Sequence, residues 1–144
     1  MSTPLSVARP VIHHAAAMRV AAAAVAKAEA LGIHVCVAVV DSTARLVAYL
    51  RMPNAFLISD EVSLAKAKSV ASAAGLPAEV VEGAFAAERP QVREGLLNIA
   101  GFTLIRGALP LRDDELVIGS VGVSGGSEAQ DVLCAEAAVA ALHS

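Results

Sequence analysis

The residues best placed to do chemistry in this sequence gather at a few points. Ser124-Gly125-Gly126-Ser127 stands between an apolar run and an Ala-rich segment. A turn of this kind aims unpaired backbone N–H groups at the start of a helix, where the helix dipole also attracts a carboxylate or phosphate. The same glycines equally suit a plain strand-to-helix turn. The spacing is not GxxxxGK[ST], so nucleotide hydrolysis is not expected. Lys66 and Lys68 are two apart on a predicted helix and face different directions, so one at most can enter a site. Lys66, within Lys-Ala, is the candidate anion anchor; otherwise it is a solvated lysine with a buried stem. Arg51 and Arg106 come near strand ends, where either can clamp a carboxylate by paired hydrogen bonds or balance acidic neighbours.

Proton transfer or metal ligation would fall to other side chains. Asp41 ends a predicted strand, where it either closes its own turn or serves as an acid–base. His13 and His14 are adjacent, and successive helical positions diverge by about 100°, so they do not share one metal in the usual way. One of them can face an interface and act as an axial ligand. His34 opens a strand and His143 lies at a frayed end. Asp131 suits the first turn of the last helix. No HExxH, paired CxxC or facial-triad spacing is present, so no dedicated metal site is expected. Neither GxSxG nor a Cys-His arrangement supports a covalent nucleophile. Cys36 and Cys134 read as small buried residues.

These side chains must be held by elements that the pattern predicts. Pro10 suits a first helical position, and Gly32 ends an Ala-rich helix whose apolar stripe runs through Val11, Ala15, Met18, Ala22, Val25 and Ala26. His34–Val40 is a β-branched run that reads as a strand buried on both faces. Asp41–Ala44 turns the chain, and Arg45–Arg51 returns as an antiparallel partner. Ser59-Asp60-Glu61 signals a helix capped by the Ser59 hydroxyl, running to Gly75. Pro77 and Pro90 open two short helices. Phe102–Arg106 is expected as a third strand, Leu109–Leu111 as extended chain and Leu116–Val123 as the last strand. Gly119 and Gly122 suggest close backbone approach there. Ser127 and Gln130 form a capping box for a final helix to about Leu142. Val37, Val39, Ile118 and Val121 are expected in the core. The order α-β-β-α-α-α-β-β-α implies an α+β fold with helices packed on an antiparallel sheet.

Composition narrows the classes. The 144 residues suit a single domain spanning 1–144. Hydrophobic residues make up 56% and charged ones 17%, which excludes disorder. The excess is Ala and Val, with no Trp and one Tyr, so elements can approach closely. A chain this apolar is expected to bury a face in a homo-oligomer. The net charge of −3 and the lack of a basic stripe argue against nucleic acid. No window of about 18 uncharged apolar residues exists, so no membrane span is expected. The absence of a basic leader before Val20–Val25 makes a cytoplasmic location the expectation.

Several segments match a known pattern. Val39–Met52 resembles a "VVDxxGxLLAxxRM" hairpin, Ala65-Lys66-Ala67 a "KA" segment, and Ile118–Asp131 a "vGaiGVSGgxxxqD" signature. Together they cover nearly the whole chain in order and resemble the GlcG/HbpS-like family, which includes haem-binding proteins and the C-terminal domain of PduO-type adenosyltransferases. The resemblance implies a profilin- or PAS-like sheet of about five strands and a homo-oligomer. Three positions depart from the pattern. Ala44 replaces a turn glycine, Pro53-Asn54 replaces Asp-Gly, and Arg106–Leu111 has one glycine fewer than "GGxPI", adding bulk beside the expected pocket. The function implied is binding of haem or a similar anionic planar ligand in a cleft near the glycine turn. Its carboxylates would meet Ser124, Gly125, Gly126, Ser127, Lys66 or Arg51, with an apolar wall from Met52, Phe56 and Ile105. The alternative is a metal-independent lyase or isomerase for a small carboxylate-bearing metabolite. Lys66 or Arg51 would hold the carboxylate, and Asp41 or a histidine would move the proton.

Overall fold

The architecture follows from one strongly apolar strand. In the computed structural model, which describes residues 2–144, the β-branched run forms β1 (Cys36–Asp41), with Cys36 to Val40 wholly buried. Its hairpin partner is β2 (Leu46–Arg51), and on its other side lies β4 (Leu116–Ser124), itself paired with β3 (Ala108–Asp113). The sheet order is β2-β1-β4-β3, and every pair is antiparallel. Alternation splits β1 between two layers. Val37 and Val39 join Val121, Val123 and Leu111 beneath α1 (His14–Leu31) and α5 (Glu128–Ala141). Ala38 and Val40 meet α2 (Ser59–Ser72) on the opposite face. Two short helices, α3 (Ala78–Phe85) and α4 (Pro90–Leu97), follow α2. The order of elements is the one the pattern predicts. Ile118 is only half-buried, whereas Val37, Val39 and Val121 are fully enclosed.

The sheet has four strands, not five, and the third lies farther along the chain than expected. Phe102–Arg106 is not a strand, because side chains take up its backbone donors. Thr103 N–H donates to Ser69 Oγ at 2.9 Å, Ile105 N–H to Thr103 Oγ1 at 3.1 Å, and Arg106 N–H to Glu128 Oε2 at 2.9 Å. Gly107, at φ 133°, then swings the chain into β3.

The first helix also begins later than Pro10. Ile12 N–H donates to Ile118 O at 2.9 Å, prolonging the ladder where β1 has ended, so residues 10–12 stay extended. The buried line of α1 is Ala17, Val20, Ala21, Ala24 and Ala28. The stripe expected from the sequence lies mostly outward: Val11 is 52% and Met18 64% exposed, Ala15, Ala22 and Ala26 are exposed, and Val25 is half-buried. In a helix that is alanine on several sides, hydrophobic periodicity cannot choose a face. The alanines decide, by letting α1 close on Cys134, Ala135 and Ala138 of α5. Arg19 donates to the carbonyls of Ala141 and Leu142 at the end of α5, satisfying helix-end acceptors.

Close approach also governs the other face. A methyl group at Gly122 would stand 2.7 Å from Ala67 N and against the Ser63 carbonyl. The backbone of α2 therefore rests directly on β4. Ser59 does not cap this helix: it is the first helical residue, and its hydroxyl accepts from Ser124 Oγ at 3.3 Å in the interior.

Candidate functional site

The glycine turn is closed by groups of the chain itself. Ser127 caps α5, its Oγ accepting from Gln130 N–H at 3.2 Å while Gln130 Oε1 accepts from Ser127 N–H at 3.0 Å. Gly126 N–H donates to Asp131 Oδ1 at 2.9 Å. The other oxygen, Oδ2, receives Lys66 Nζ at 2.9 Å, and Nζ also donates to Val123 O at 2.8 Å. Lys66 is 2% and Asp131 3% exposed. Gly107 seals the cage, since a side chain there would begin 2.7 Å from Lys66 Nζ. A methyl at Gly125 would lie 2.8 Å from Val35 Cα, and Ser124 is buried against Ser59. The Asp131 carboxylate thus occupies the position in which a ligand carboxylate was expected. Lys66 is neither an open anion anchor nor a solvated lysine: it ties α2 to β4 and α5.

The remaining candidates are dispersed. Asp41 Oδ1 accepts from Thr43 N–H at 2.8 Å, Thr43 Oγ1 at 2.6 Å and Arg45 N–H at 3.3 Å. Partial burial alone would raise its pKa, but these bonds outweigh it and hold the carboxyl below the ordinary range. It closes its turn, and a carboxylate so held is a poor proton acceptor. Met52 is half-buried, exchanging bonds with Val35 through its N–H and Sδ. Phe56 is 70% exposed on the loop before α2. Ile105 lines a cavity of about 390 Å³ along α2. Met52, Phe56 and Ile105 therefore do not form one wall. Arg106 is exposed near the start of α5.

Arg51 does reach a cavity, of about 560 Å³, lined also by Leu46, Tyr49, Asp60 and Leu64. The register pairs Arg51 with Cys36 and Tyr49 with Ala38, so Arg51, Tyr49 and Cys36 share the face toward α2. Asp60, in the first turn of α2, accepts from the Tyr49 hydroxyl and from Cys36 Sγ at 3.6 Å. Burial, and then the bond to Asp60, push the Tyr49 hydroxyl above its ordinary pKa. Burial likewise raises the Cys36 thiol, against the bond from Tyr49. Both groups are held protonated, as donors and not as nucleophiles. This cluster escapes sequence reasoning because it depends on hairpin register, which is fixed only once β2 is paired.

The two histidines have different states. His13 lies outside the helix, at φ −72° and ψ 141°, and its Nδ1 accepts from Ala15 N–H at 3.1 Å. That bend lets its ring stack on His14, with centroids 4.2 Å apart. An Nδ1 that accepts places the neutral ring's proton on Nε2. His13 must release its helix cap before Nε2 can ligate anything. His14 is exposed, and among the described residues its ring has no hydrogen-bond partner.

Comparison with known proteins agrees with this frame. Corrinoid adenosyltransferase PduO of Citrobacter freundii is 34% identical over 125 residues, which cover 84% of this chain and 36% of that protein. The chain thus spans about a third of that relative's length. The crystal structure of Klebsiella pneumoniae protein ORFY superposes with a TM-score of 0.89 at 32% identity, covering 100% of this chain and 99% of that one. A crystal structure of a PduOC–heme complex superposes at 0.80 with 28% identity, covering 91% and 94%. The family model described as haem-degrading protein HbpS-like matches residues 12–140, and the chain belongs to the HbpS-like family.

Proposed function

We propose that this chain is a small-molecule-binding protein that takes haem, or a similar anionic planar ligand, on the outer face of α1. The observation that carries the reading is His14: an exposed imidazole without a hydrogen-bond partner among the described residues, one helical turn before the exposed side chain of Met18, with exposed Val11 in the extended segment that leads into the helix. Such a face offers one ligating nitrogen and an apolar bed. Both suit a porphyrin, whose iron accepts an axial imidazole. His13 stacks against His14 and, through its cap bond, fixes where that ring lies. The heme complex of a structural relative supports this reading. The proposal includes self-association and a cytoplasmic setting, to which two free, buried cysteines are suited. Haemin titration tests it. Wild type is expected to shift and sharpen the Soret band of haemin, His14→Ala to lose that shift, and His13→Ala to retain it. An unchanged spectrum in His14→Ala overturns the assignment.

A second reading rests on the cavity beside Arg51. There the chain would act as a metal-independent lyase or isomerase on a small carboxylate-bearing metabolite. Arg51 would hold the carboxylate, and the Tyr49–Asp60 pair would handle the proton. Loss of turnover in Arg51→Met, with the haemin spectrum unchanged, would favour it.

A further inference from the structure

We propose that the open cleft between α2, α3 and α4 binds an apolar monocarboxylate, with the Lys68 ammonium as its charge partner. The cavity measures about 560 Å³, within the usual range for small-molecule sites. Leu76, Val81, Phe85, Leu96, Ile99 and Phe102 form most of its apolar wall.

The argument begins with the two short helices. Each has eight residues, a length marginal in water without a buried face. Yet α4 buries no residue at all, and α3 buries only Val81. Their apolar side chains are turned toward a space instead of a core. Ile99 remains 58% exposed at its edge. An apolar occupant supplies the contacts these helices lack.

The charge of the occupant follows from Lys68. It lies on the opposite side of α2 from Lys66, half-buried in the wall, and among the described residues it has no ion-pair partner. Glu61 lines the adjoining cavity of about 390 Å³, which shares Lys68, Gly101 and Phe102. It leaves the Lys68 charge unpaired. The Ser69 hydroxyl is committed, donating to Ala65 O at 2.7 Å and accepting from Thr103 N–H. Lys68 is therefore the cation left for a ligand, and a chain or ring ending in one carboxylate matches the rest of the lining. This site lies across the sheet from α1 and does not depend on the haem reading.

Calorimetric titration of the purified chain with decanoate tests the assignment. One molecule per chain is expected to bind. Lys68→Met, or replacement of decanoate by neutral decanol, is expected to weaken binding about tenfold, the scale of one charge-assisted hydrogen bond near the surface. Ala84→Trp fills the space from α3 and is expected to abolish binding. Hydrogen exchange should slow across residues 78–97 when decanoate is present. Absence of binding by wild type, equal affinity in Lys68→Met, equal affinity for decanol, or unchanged exchange in 78–97 each overturns the proposal. If Ala84→Trp does not fold, the Lys68→Met substitution, at a half-buried position outside both core clusters, still decides. His14→Ala should leave decanoate binding intact, and Lys68→Met should leave the haemin spectrum intact, so the two sites fail separately.

Discussion

At the scale of single residues, Lys66 shows how burial changes the meaning of a charge. Its ammonium, the Asp131 carboxylate and the Gly126 amide satisfy one another inside the protein. Removing one member of such a pair leaves the other buried without compensation, at a cost of about 3–5 kcal/mol. Lys66→Ala is therefore expected to lower chemical-denaturation stability on that scale. Lys66→Met with Asp131→Asn should recover part of it, and a stable Lys66→Ala variant would contradict the lock. Ala44 makes the opposite point. It sits at φ 63° in the hairpin turn, where an L side chain is strained and glycine is not. Ala44→Gly is expected to raise stability by about 1 kcal/mol, read as a higher denaturation midpoint. Asp41, in the same turn, links stability to pH. Its folded pKa is lowered, so its contribution is complete above the unfolded value and disappears as pH falls through the folded one. Melting temperatures measured from about pH 5 down to about pH 2 should fall less steeply in Asp41→Asn than in wild type.

At the scale of elements, legibility tracked how local the cause was. The capping box of α5 was readable because Ser127 and Gln130 are three residues apart and satisfy each other. The strand β1 is readable because only burial on both faces suits six apolar residues in a row, Val35 to Val40. Gly122 was readable as a close approach, though not as an approach of α2. The misplaced third strand and the outward stripe of α1 failed for one reason: both depend on which surface a distant element presents. Ser69 and Glu128 take the amides of Phe102–Arg106 away from strand pairing, and neither is near them in sequence. Lys66 and Asp131 are likewise 65 residues apart, so no spacing rule announces the pair that closes the expected ligand turn. The residue pattern gives the order of elements by itself, and the resemblance adds the expectation of about five strands, where the sheet has four. Gly122→Ala tests the element-scale reading. The added methyl meets backbone of α2, which cannot yield as a side chain can. The expected loss is about 1–3 kcal/mol, with weakened protection of α2 amides in hydrogen exchange. Unaltered protection would show that α2 does not rest on β4 at this point.

At the scale of the whole molecule, the unresolved balance is apolar surface. Leu5 and Val7 near the amino terminus are fully or largely exposed, as are Phe56, Leu57 and Ile58 in consecutive positions before α2. Met18 on α1 and Val11 in the extended segment before it are exposed as well. Isolated exposed apolar residues are ordinary, but three in a row are not. The loop that carries them is ordered by its own bonds, Ala55 N–H to Met52 O and Ser59 N–H to Phe56 O, both 3.0 Å. The apolar triplet is therefore presented to solvent by a fixed turn, which is how a self-association surface is built. Light scattering at micromolar concentration is expected to return at least twice the 14.6 kDa of one chain. Replacing Phe56 and Leu57 together by Ser should shift the mass toward one chain while leaving the far-ultraviolet circular dichroism unchanged, because neither side chain is part of either core cluster. A wild-type mass of one chain would remove self-association from the proposal. A mass that stays high in the double variant would move the contact from this loop to the outer face of α1, where Met18→Glu becomes the next substitution to measure.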